Sequence, residues 1–176
     1  MLPSRYAWLA REPGPKMIVE ALKLFGTMEK PGAANNPTIV AWAKEVGGEV
    51  EDIYKADSIP WCGLFMAVVA MRAGKEPPAH PLWALSWSAF GSKASAPALG
   101  DVLVFTRSGG GHVALYVGED RDVFHCLGGN QSDSVCITRI AKSRLYAARR
   151  PLYRVQPANV RPIHLEATGA LSLNEA

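Results

Sequence analysis

Apolar side chains in the first third of the chain recur at the spacing of an α-helix. Over residues 15–25 they fall on one stripe, with Pro15 suited to the first turn and a glycine following the last turn. A second stretch, 38–46, follows Asn35 and Asn36, either of which can cap a helix, and ends before paired glycines. The pattern predicts two amphipathic helices.

The next apolar stretch has no polar side. Residues 61–74 carry no charge until Arg72, which is typical of a helix buried at the centre of a domain. Residues 49–60 are acidic and aperiodic, and residues 75–98 are rich in Pro, Ala and Ser. We expect irregular chain in the first of these segments, and a loop with a short helix in the second.

From Gly100 onward the apolar residues come in short runs that are typical of β-strands. The predicted strands are 101–106, 112–117, 123–127, 135–139 and 145–150. Hairpin-sized connections favour an antiparallel sheet, and helices followed by strands indicate an α+β domain. We therefore expect one domain over residues 1–155 and a tail over residues 156–176, part of it disordered.

Composition narrows the function classes. The chain has 176 residues, 48% of them hydrophobic and 20% charged, which fits a globular domain. Its 19 basic and 16 acidic residues give a net charge of +3 without a basic cluster, so we expect no nucleic-acid partner. No apolar run is long enough for a membrane span, and the first residues do not form a secretion signal. The odd number of cysteines predicts thiols of a protein made in the cytoplasm.

Cys62 stands out among the cysteines because Pro60 and Trp61 precede it at the start of the predicted buried helix. Free N–H groups and the positive end of the helix dipole favour a thiolate there, so we expect a lowered thiol pKa. Position alone also fits a core cysteine. Cys136 alternates with apolar residues and is interpreted as packing, whereas Cys126 fits either role.

His112 is the candidate base for such a nucleophile. It follows three glycines and opens a predicted strand, although a histidine at an exposed strand end fits as well. A third polar group is needed to orient the imidazole. His125 and Asn130 are the two candidates, and the register of the hairpin decides which of them shares a face with His112.

Four motifs in a fixed order carry a family resemblance. They are Pro-Trp-Cys at 60–62, Gly-Asp-Val-Leu-Val-Phe at 100–105, Gly-His-Val-Ala-Leu-Tyr-Val-Gly at 111–118 and Leu-Gly-Gly-Asn-Gln at 127–131. The set resembles the NlpC/P60 and CHAP cysteine peptidases and amidases of bacterial cell walls, in particular a branch of small phage and prophage proteins. The resemblance extends from about Lys16 to Tyr153.

The resemblance implies a papain-like fold, with the nucleophile helix packed on a small antiparallel sheet. Carried over by position, Cys62 is the nucleophile and His112 the general base and later the acid. Asn130 is the expected third residue because it lies within the branch's own motif, and His125 is the alternative. The substrate-binding residues implied are Trp61, Gly111 and Gln131.

The activity implied is cleavage of an amide bond of the peptidoglycan stem peptide, either as an endopeptidase or as an N-acetylmuramoyl-L-alanine amidase. We expect no cofactor, and no metal, because the cysteines and histidines lack the spacing of zinc ligands. Without a secretion signal, the protein is expected to reach the wall after lysis or with a holin or secretion machinery; an immunity protein is a further candidate partner. A non-catalytic module that binds wall peptides and a papain-like acyltransferase stay open as alternatives.

Overall fold

Helices occupy the first half of the chain and strands the second, as the pattern predicts. The computed structural model describes residues 1–167, 169–173 and 175. Its α-helices are α1 (Lys16–Lys23), α2 (Pro37–Val46), α3 (Gly48–Ile53) and α4 (Cys62–Arg72), with 3₁₀ helices at Ser4–Arg11, Ala84–Ala89 and Lys142–Arg144. Its strands are β1 (Ser92–Lys93), β2 (Val102–Arg107), β3 (Gly110–Glu119), β4 (Val123–Gly128), β5 (Cys136–Ala141) and β6 (Leu145–Arg150).

The longer helices form where the sequence predicts them. The Asn36 side chain caps α2 by accepting a hydrogen bond from the Thr38 amide at 2.8 Å. The prediction of irregular chain after α2 is wrong for α3, because Gly47, at φ 72°, turns the chain directly into another helix. A helix of six residues is too short to produce a periodic pattern.

The strands of the described chain form one antiparallel sheet in the order β1-β6-β2-β3-β4-β5. The α+β prediction and the antiparallel prediction are therefore confirmed. Only the consecutive hairpins from β2 to β5 follow sequence order. The chain returns from β5 to place β6 against the far side of β2, so β2, which pairs with the strand that holds His112, has neighbours on both sides.

The two faces of the sheet bury different clusters. Val113, Leu115 and Val117 of β3 pack into the main core with α4, which is buried along nearly its whole length. Ala114 and Tyr116, on the alternate face of β3, belong to a smaller cluster with residues of β2 and β4. His112, at the start of β3, pairs with Phe105 of β2.

The chain beyond residue 155 lies against the domain over its described residues. The Leu99 amide donates to the Arg161 carbonyl at 3.0 Å, and His164 forms a parallel bridge with Glu119 at the end of β3. Ser172 forms another parallel bridge, to β5, and Glu175 is 1% exposed. Across the described residues, no helix has the length and hydropathy that a membrane span requires.

Candidate functional site

The start of α4 is held by Trp61. Its ring has no exposed surface, lies 5.9 Å from the Trp42 ring between centroids, and donates from Nε1 to a Glu29 carboxylate oxygen at 3.2 Å. Trp61 is the residue at which α4 is capped, so this packing fixes the position of Cys62 in the first turn. We predicted substrate contact for Trp61; in the structure its ring is a packing element that positions the nucleophile candidate.

The Cys62 thiol is 5% exposed and lies beside β3. Burial raises the pKa of the thiol, and this effect outweighs hydrogen bonding from the backbone amides of Val113, Gly63 and Cys62 and the charge of Arg107, which lower it. The expectation of a lowered thiol pKa is therefore wrong for this closed arrangement. The Val113 amide that contacts the thiol belongs to the residue that follows His112 in the sequence.

The His112 ring is fixed by Gln131. Its Nε2 lies 3.0 Å from Oε1 of Gln131, whose Nε2 donates to the carbonyls of Cys126 at 3.2 Å and Cys136 at 2.6 Å. Carbonyl oxygens only accept hydrogen bonds, so these two contacts fix which end of the Gln131 amide faces His112. The oxygen therefore accepts a hydrogen bond from His112 Nε2–H, which leaves the lone pair on Nδ1.

This tautomer is suited to a general base. Burial lowers the pKa of His112 to about 4, against the opposing effects of the Glu175 charge and the Gln131 hydrogen bond, while Arg107 and Arg144 reinforce it. The imidazole is therefore neutral near pH 7. Within the described part of the chain, Nδ1 of His112 has no hydrogen-bond partner, so its lone pair is available for a proton.

The paired glycines before Gln131 allow two close contacts. A Cβ on Gly128 would lie 2.9 Å from Oε1 of Gln131, and a Cβ on Gly129 would lie 2.6 Å from Cβ of Phe65 in α4. Asn130 then adopts φ 55°, a left-handed conformation that asparagine tolerates better than most residues. The motif is thus a turn that lets Gln131 approach His112 while the chain passes close to α4.

The third position differs from the prediction. Neither Asn130 nor His125 hydrogen bonds to His112 in the described structure: Asn130 shapes the turn, and His125 contacts Tyr6 and Asp120 instead. Gln131, which we predicted to bind substrate, is the residue that contacts His112. The contact is thus made by another member of the predicted motif, because the member that faces β3 depends on the turn conformation.

Arg107 is a site residue that sequence reasoning missed. Its charge acts on both Cys62 and His112, which places one guanidinium near the two groups. It lies at the end of β2, opposite Gly110, and its Nε donates to the Gly111 carbonyl at 3.3 Å. The pairing of β2 with β3 was the available signal, since it brings the last residue of β2 beside the start of β3.

One wall of the site is formed by the loop before the second 3₁₀ helix. A Cβ on Gly63 would lie 2.3 Å from the Pro81 carbonyl oxygen, and a Cβ on Gly111 would lie 2.8 Å from Cδ2 of Leu85. We predicted substrate binding for Gly111; in this structure the side chain closest to that position is Leu85. Trp83 and Leu85 are 71% and 40% exposed, so this wall presents apolar surface to solvent.

The arrangement is equipped for acyl chemistry on a thiol. Among the described residues, no group of three His, Cys, Asp or Glu side chains is placed to hold a metal ion.

Comparison of the chain with protein-family models gave no match, and a search of curated proteins found no similar protein. The family resemblance therefore rests on the sequence motifs, and the chemical interpretation rests on the geometry of Cys62, His112 and Gln131.

Proposed function

We propose that this protein is a papain-like cysteine hydrolase that cleaves an amide bond of the peptidoglycan stem peptide. The observation that carries the proposal is the hydrogen bond that fixes His112 with its proton on Nε2, directly before Val113, whose amide contacts the Cys62 thiol at the start of α4. A buried structural histidine usually has both ring nitrogens hydrogen bonded, whereas the base of a cysteine nucleophile needs an Nδ1 lone pair that can take the thiol proton.

In the first step, the proton of the Cys62 thiol moves to Nδ1 of His112 and the sulfur attacks the substrate carbonyl carbon. A C–S bond forms, and the carbonyl π electrons move to the oxygen. Gln131 stays hydrogen bonded to Nε2 and stabilises the imidazolium that results. His112 then donates its new proton to the amide nitrogen as the C–N bond breaks.

The oxyanion forms next to the start of α4. The first amides of a helix have no partner within the helix, and the first hydrogen bond of α4 runs from the Phe65 amide to the Trp61 carbonyl at 2.9 Å. The amides of Cys62 and Gly63 precede it and interact with the thiol. They are therefore the donors available to an oxyanion. Water, deprotonated by His112, hydrolyses the thioester and regenerates the thiol.

The choice of peptidoglycan is supported by the sequence motifs. The ordered set from Pro60 to Gln131 resembles wall-degrading cysteine peptidases and amidases. The exposed apolar wall at Trp83 and Leu85 supplies surface for a substrate that carries sugar and peptide. Whether the cleaved bond lies within the stem or at its junction with the lactyl group is decided by the products.

The test is digestion of purified peptidoglycan by the whole protein and by Cys62→Ala. Mass spectrometry of the soluble products identifies the new termini: a free amine within the stem indicates an endopeptidase, and a free lactyl carboxyl group indicates an amidase. Met71→Ala is a matched control, since Met71 is exposed at the other end of α4. We expect cleavage by the control and none by Cys62→Ala. Equal cleavage by Cys62→Ala contradicts the proposal. So does the absence of new termini with both the whole protein and Met71→Ala.

A further inference from the structure

Arg107 lies beside the start of β3, the strand that holds His112. The pairing of β2 with β3 places Arg107 opposite Gly110, and its Nε donates to the Gly111 carbonyl at 3.3 Å. Gly111 directly precedes His112 in the sequence. The chemical steps proposed above give this guanidinium no part, although the fold holds it at the edge of the site.

The turn next to Arg107 adjoins open space. A Cβ on Gly109 or on Gly110 would meet no atom of the described chain within 4 Å. One residue further on, a Cβ on Gly111 would lie 2.8 Å from Cδ2 of Leu85, which bounds the space on that side. Glycines without side chains allow a ligand to come close to the backbone. A substrate therefore has room beside Arg107.

The charged side chains around His112 favour an anionic ligand. Those that act on its titration are Arg107, Arg144 and Glu175. Both carboxylate oxygens of Glu175 accept from Arg144, at 2.8 and 2.7 Å, so these two charges balance each other. The three side chains together thus contribute one positive charge. The charge of Arg107 also acts on the Cys62 thiol, so it is present at both reacting groups.

A carboxylate is the anion that a peptide substrate brings to an arginine. The planar guanidinium donates parallel hydrogen bonds that match the two oxygens of a carboxylate. A peptide carries this group on acidic side chains and at its chain end. Because Arg107 contacts the backbone directly before His112, the carboxylate that it reaches belongs to a residue close to the amide bond that is cut.

We propose that Arg107 binds a carboxylate of the substrate next to the scissile amide, so that acidic stem peptides are cleaved in preference to amidated ones. This specificity rests on the proposed hydrolase function, whereas the attraction of an anion to the site is measurable without any substrate. Arg107 is then a specificity-determining residue. It holds the substrate and takes no part in the proton transfers between Cys62 and His112.

The first test compares two reagents that alkylate Cys62, the anion iodoacetate and the neutral iodoacetamide. The two reagents have nearly the same size, so the ratio of their rates cancels the burial of the thiol. Peptide mass spectrometry counts Cys126 and Cys136 separately. Loss of one nearby positive charge lowers the iodoacetate-to-iodoacetamide ratio by about threefold even in a water-like medium. We expect at least that decrease in Arg107→Gln at low ionic strength, where charges are least screened.

Arg121→Gln is the matched control, because it removes the same charge from an exposed position between β3 and β4, beyond the other end of β3. Arg107→Lys keeps the charge and should keep most of the ratio. A turn loosened by loss of the Arg107 contact with Gly111 changes both alkylation rates together, so the ratio reports charge and not structure. An unchanged ratio in Arg107→Gln, relative to Arg121→Gln, overturns the proposal.

The second test measures kcat and KM on synthetic muramyl peptides, with each carboxylate either free or amidated, at the side chain or at the chain end. On the peptide whose carboxylate is bound, Arg107→Gln should lose about 10- to 100-fold in kcat/KM, mainly through KM. Its amidated counterpart should be cleaved at nearly the wild-type rate, and Arg107→Lys should recover part of the loss. The peptide that shows the loss identifies the carboxylate. Equal losses on the free and amidated forms overturn the proposal.

The two tests together separate this proposal from the hydrolase function. A lowered alkylation ratio with preferential cleavage of acidic peptides supports both. A lowered ratio without cleavage of any peptide supports the anion-binding site and contradicts the hydrolase. Cysteine-dependent cleavage of acidic and amidated peptides at equal rates supports the hydrolase and contradicts the role of Arg107.

Discussion

Two histidines are buried in the same sheet with the same tautomer. They differ in whether the lone pair on Nδ1 has a hydrogen-bond donor. Asp120 accepts from Nε2 of His125 at 3.2 Å, and Gln131 accepts from Nε2 of His112 at 3.0 Å. In both rings the acceptor lone pair is therefore on Nδ1. The Tyr6 hydroxyl donates to Nδ1 of His125 at 2.6 Å, while Nδ1 of His112 has no such donor among the described residues.

The carboxylate beside His125, that of Asp120, is also fully paired. Burial raises the pKa of Asp120, but hydrogen bonds from Arg139, the Asp122 amide and His125 outweigh it and hold that pKa at about 2. The carboxylate is thus charged and paired with Arg139 at 2.6 Å. Burial lowers the pKa of His125, so the ring stays neutral between a carboxylate and a hydroxyl. A histidine with both nitrogens hydrogen bonded is suited to stabilising a structure, and one whose Nδ1 lone pair has no donor is suited to accepting a proton.

The largest effect expected from this comparison is the loss of turnover in His112→Ala. Removal of a general base lowers the turnover number by about 10²- to 10⁴-fold. The measurement is the initial rate of release of the stem-peptide termini found above, with thermal unfolding as the check on folding. His80→Ala is the control, because the His80 side chain is 67% exposed. A folded His112→Ala that keeps the wild-type rate removes His112 from the mechanism.

The pH dependence of stability distinguishes the two roles in another way. The pKa of His112 is about 4 in the folded protein and about 6.5 in the unfolded chain. Between these values the unfolded chain binds more protons, so this contribution is fully present above pH 6.5 and is lost as the pH falls to 4. The shift corresponds to about 3 kcal/mol.

Urea unfolding at pH 7 and pH 4 measures that contribution in the wild type and in His112→Asn. We expect the free energy of unfolding to fall by about 3 kcal/mol less in the variant, because asparagine does not titrate. Equal losses in the two proteins contradict a desolvated, neutral His112. His80→Asn serves as the control for the same substitution at an exposed histidine.

Gln131 is expected to act through the tautomer of His112. Gln131→Met keeps the side-chain length but cannot accept from Nε2 or donate to the Cys126 and Cys136 carbonyls. We expect a fall of about 10- to 100-fold in the turnover number, by analogy with the loss of the second hydrogen-bond partner of a metal-bound histidine. KM should stay unchanged.

Nitrogen-15 NMR supplies the readout that a merely structural role of Gln131 does not move. The wild-type spectrum should show His112 protonated on Nε2, and the Gln131→Met spectrum should show a second population protonated on Nδ1. Asn130→Gly is the neighbouring control, since glycine adopts the φ of 55° and retains the turn. A single Nε2 tautomer in Gln131→Met contradicts the positioning role.

Local periodicity explains why most of the fold was predictable. The helix α4 is apolar all round, and β2 to β5 are joined by short connections, so each is visible in a window of the sequence. The two residues of β1 are too short for such a signal. The pairing of β6 with β2 is a contact between distant parts of the chain, and no local pattern specifies it.

The candidate site was likewise predictable only where its residues follow from local features of the sequence. Cys62 follows from a helix start and His112 from a strand start, both local features. Gln131 depends on the left-handed turn at Asn130, which rotates one side chain of the pair towards β3 and leaves the other to shape the backbone. Arg107 depends on strand register. The contact of Gln131 with His112 and the place of Arg107 were missed because both require tertiary information.

The smallest effect in the comparison concerns the Tyr6 hydroxyl, which donates a hydrogen bond to Nδ1 of His125. Tyr6→Phe removes the hydrogen bond to Nδ1 and keeps the ring that packs edge-on against the imidazole at 5.8 Å between centroids. One hydrogen bond contributes about 0.5–1.5 kcal/mol, so we expect urea unfolding to show a loss of about 1 kcal/mol, with turnover unchanged. Tyr146→Phe, at a 58% exposed position, should change neither quantity. A fall in turnover of Tyr6→Phe at temperatures where the protein remains folded places His125 in the chemistry after all, because freeing Nδ1 is then more than a structural change.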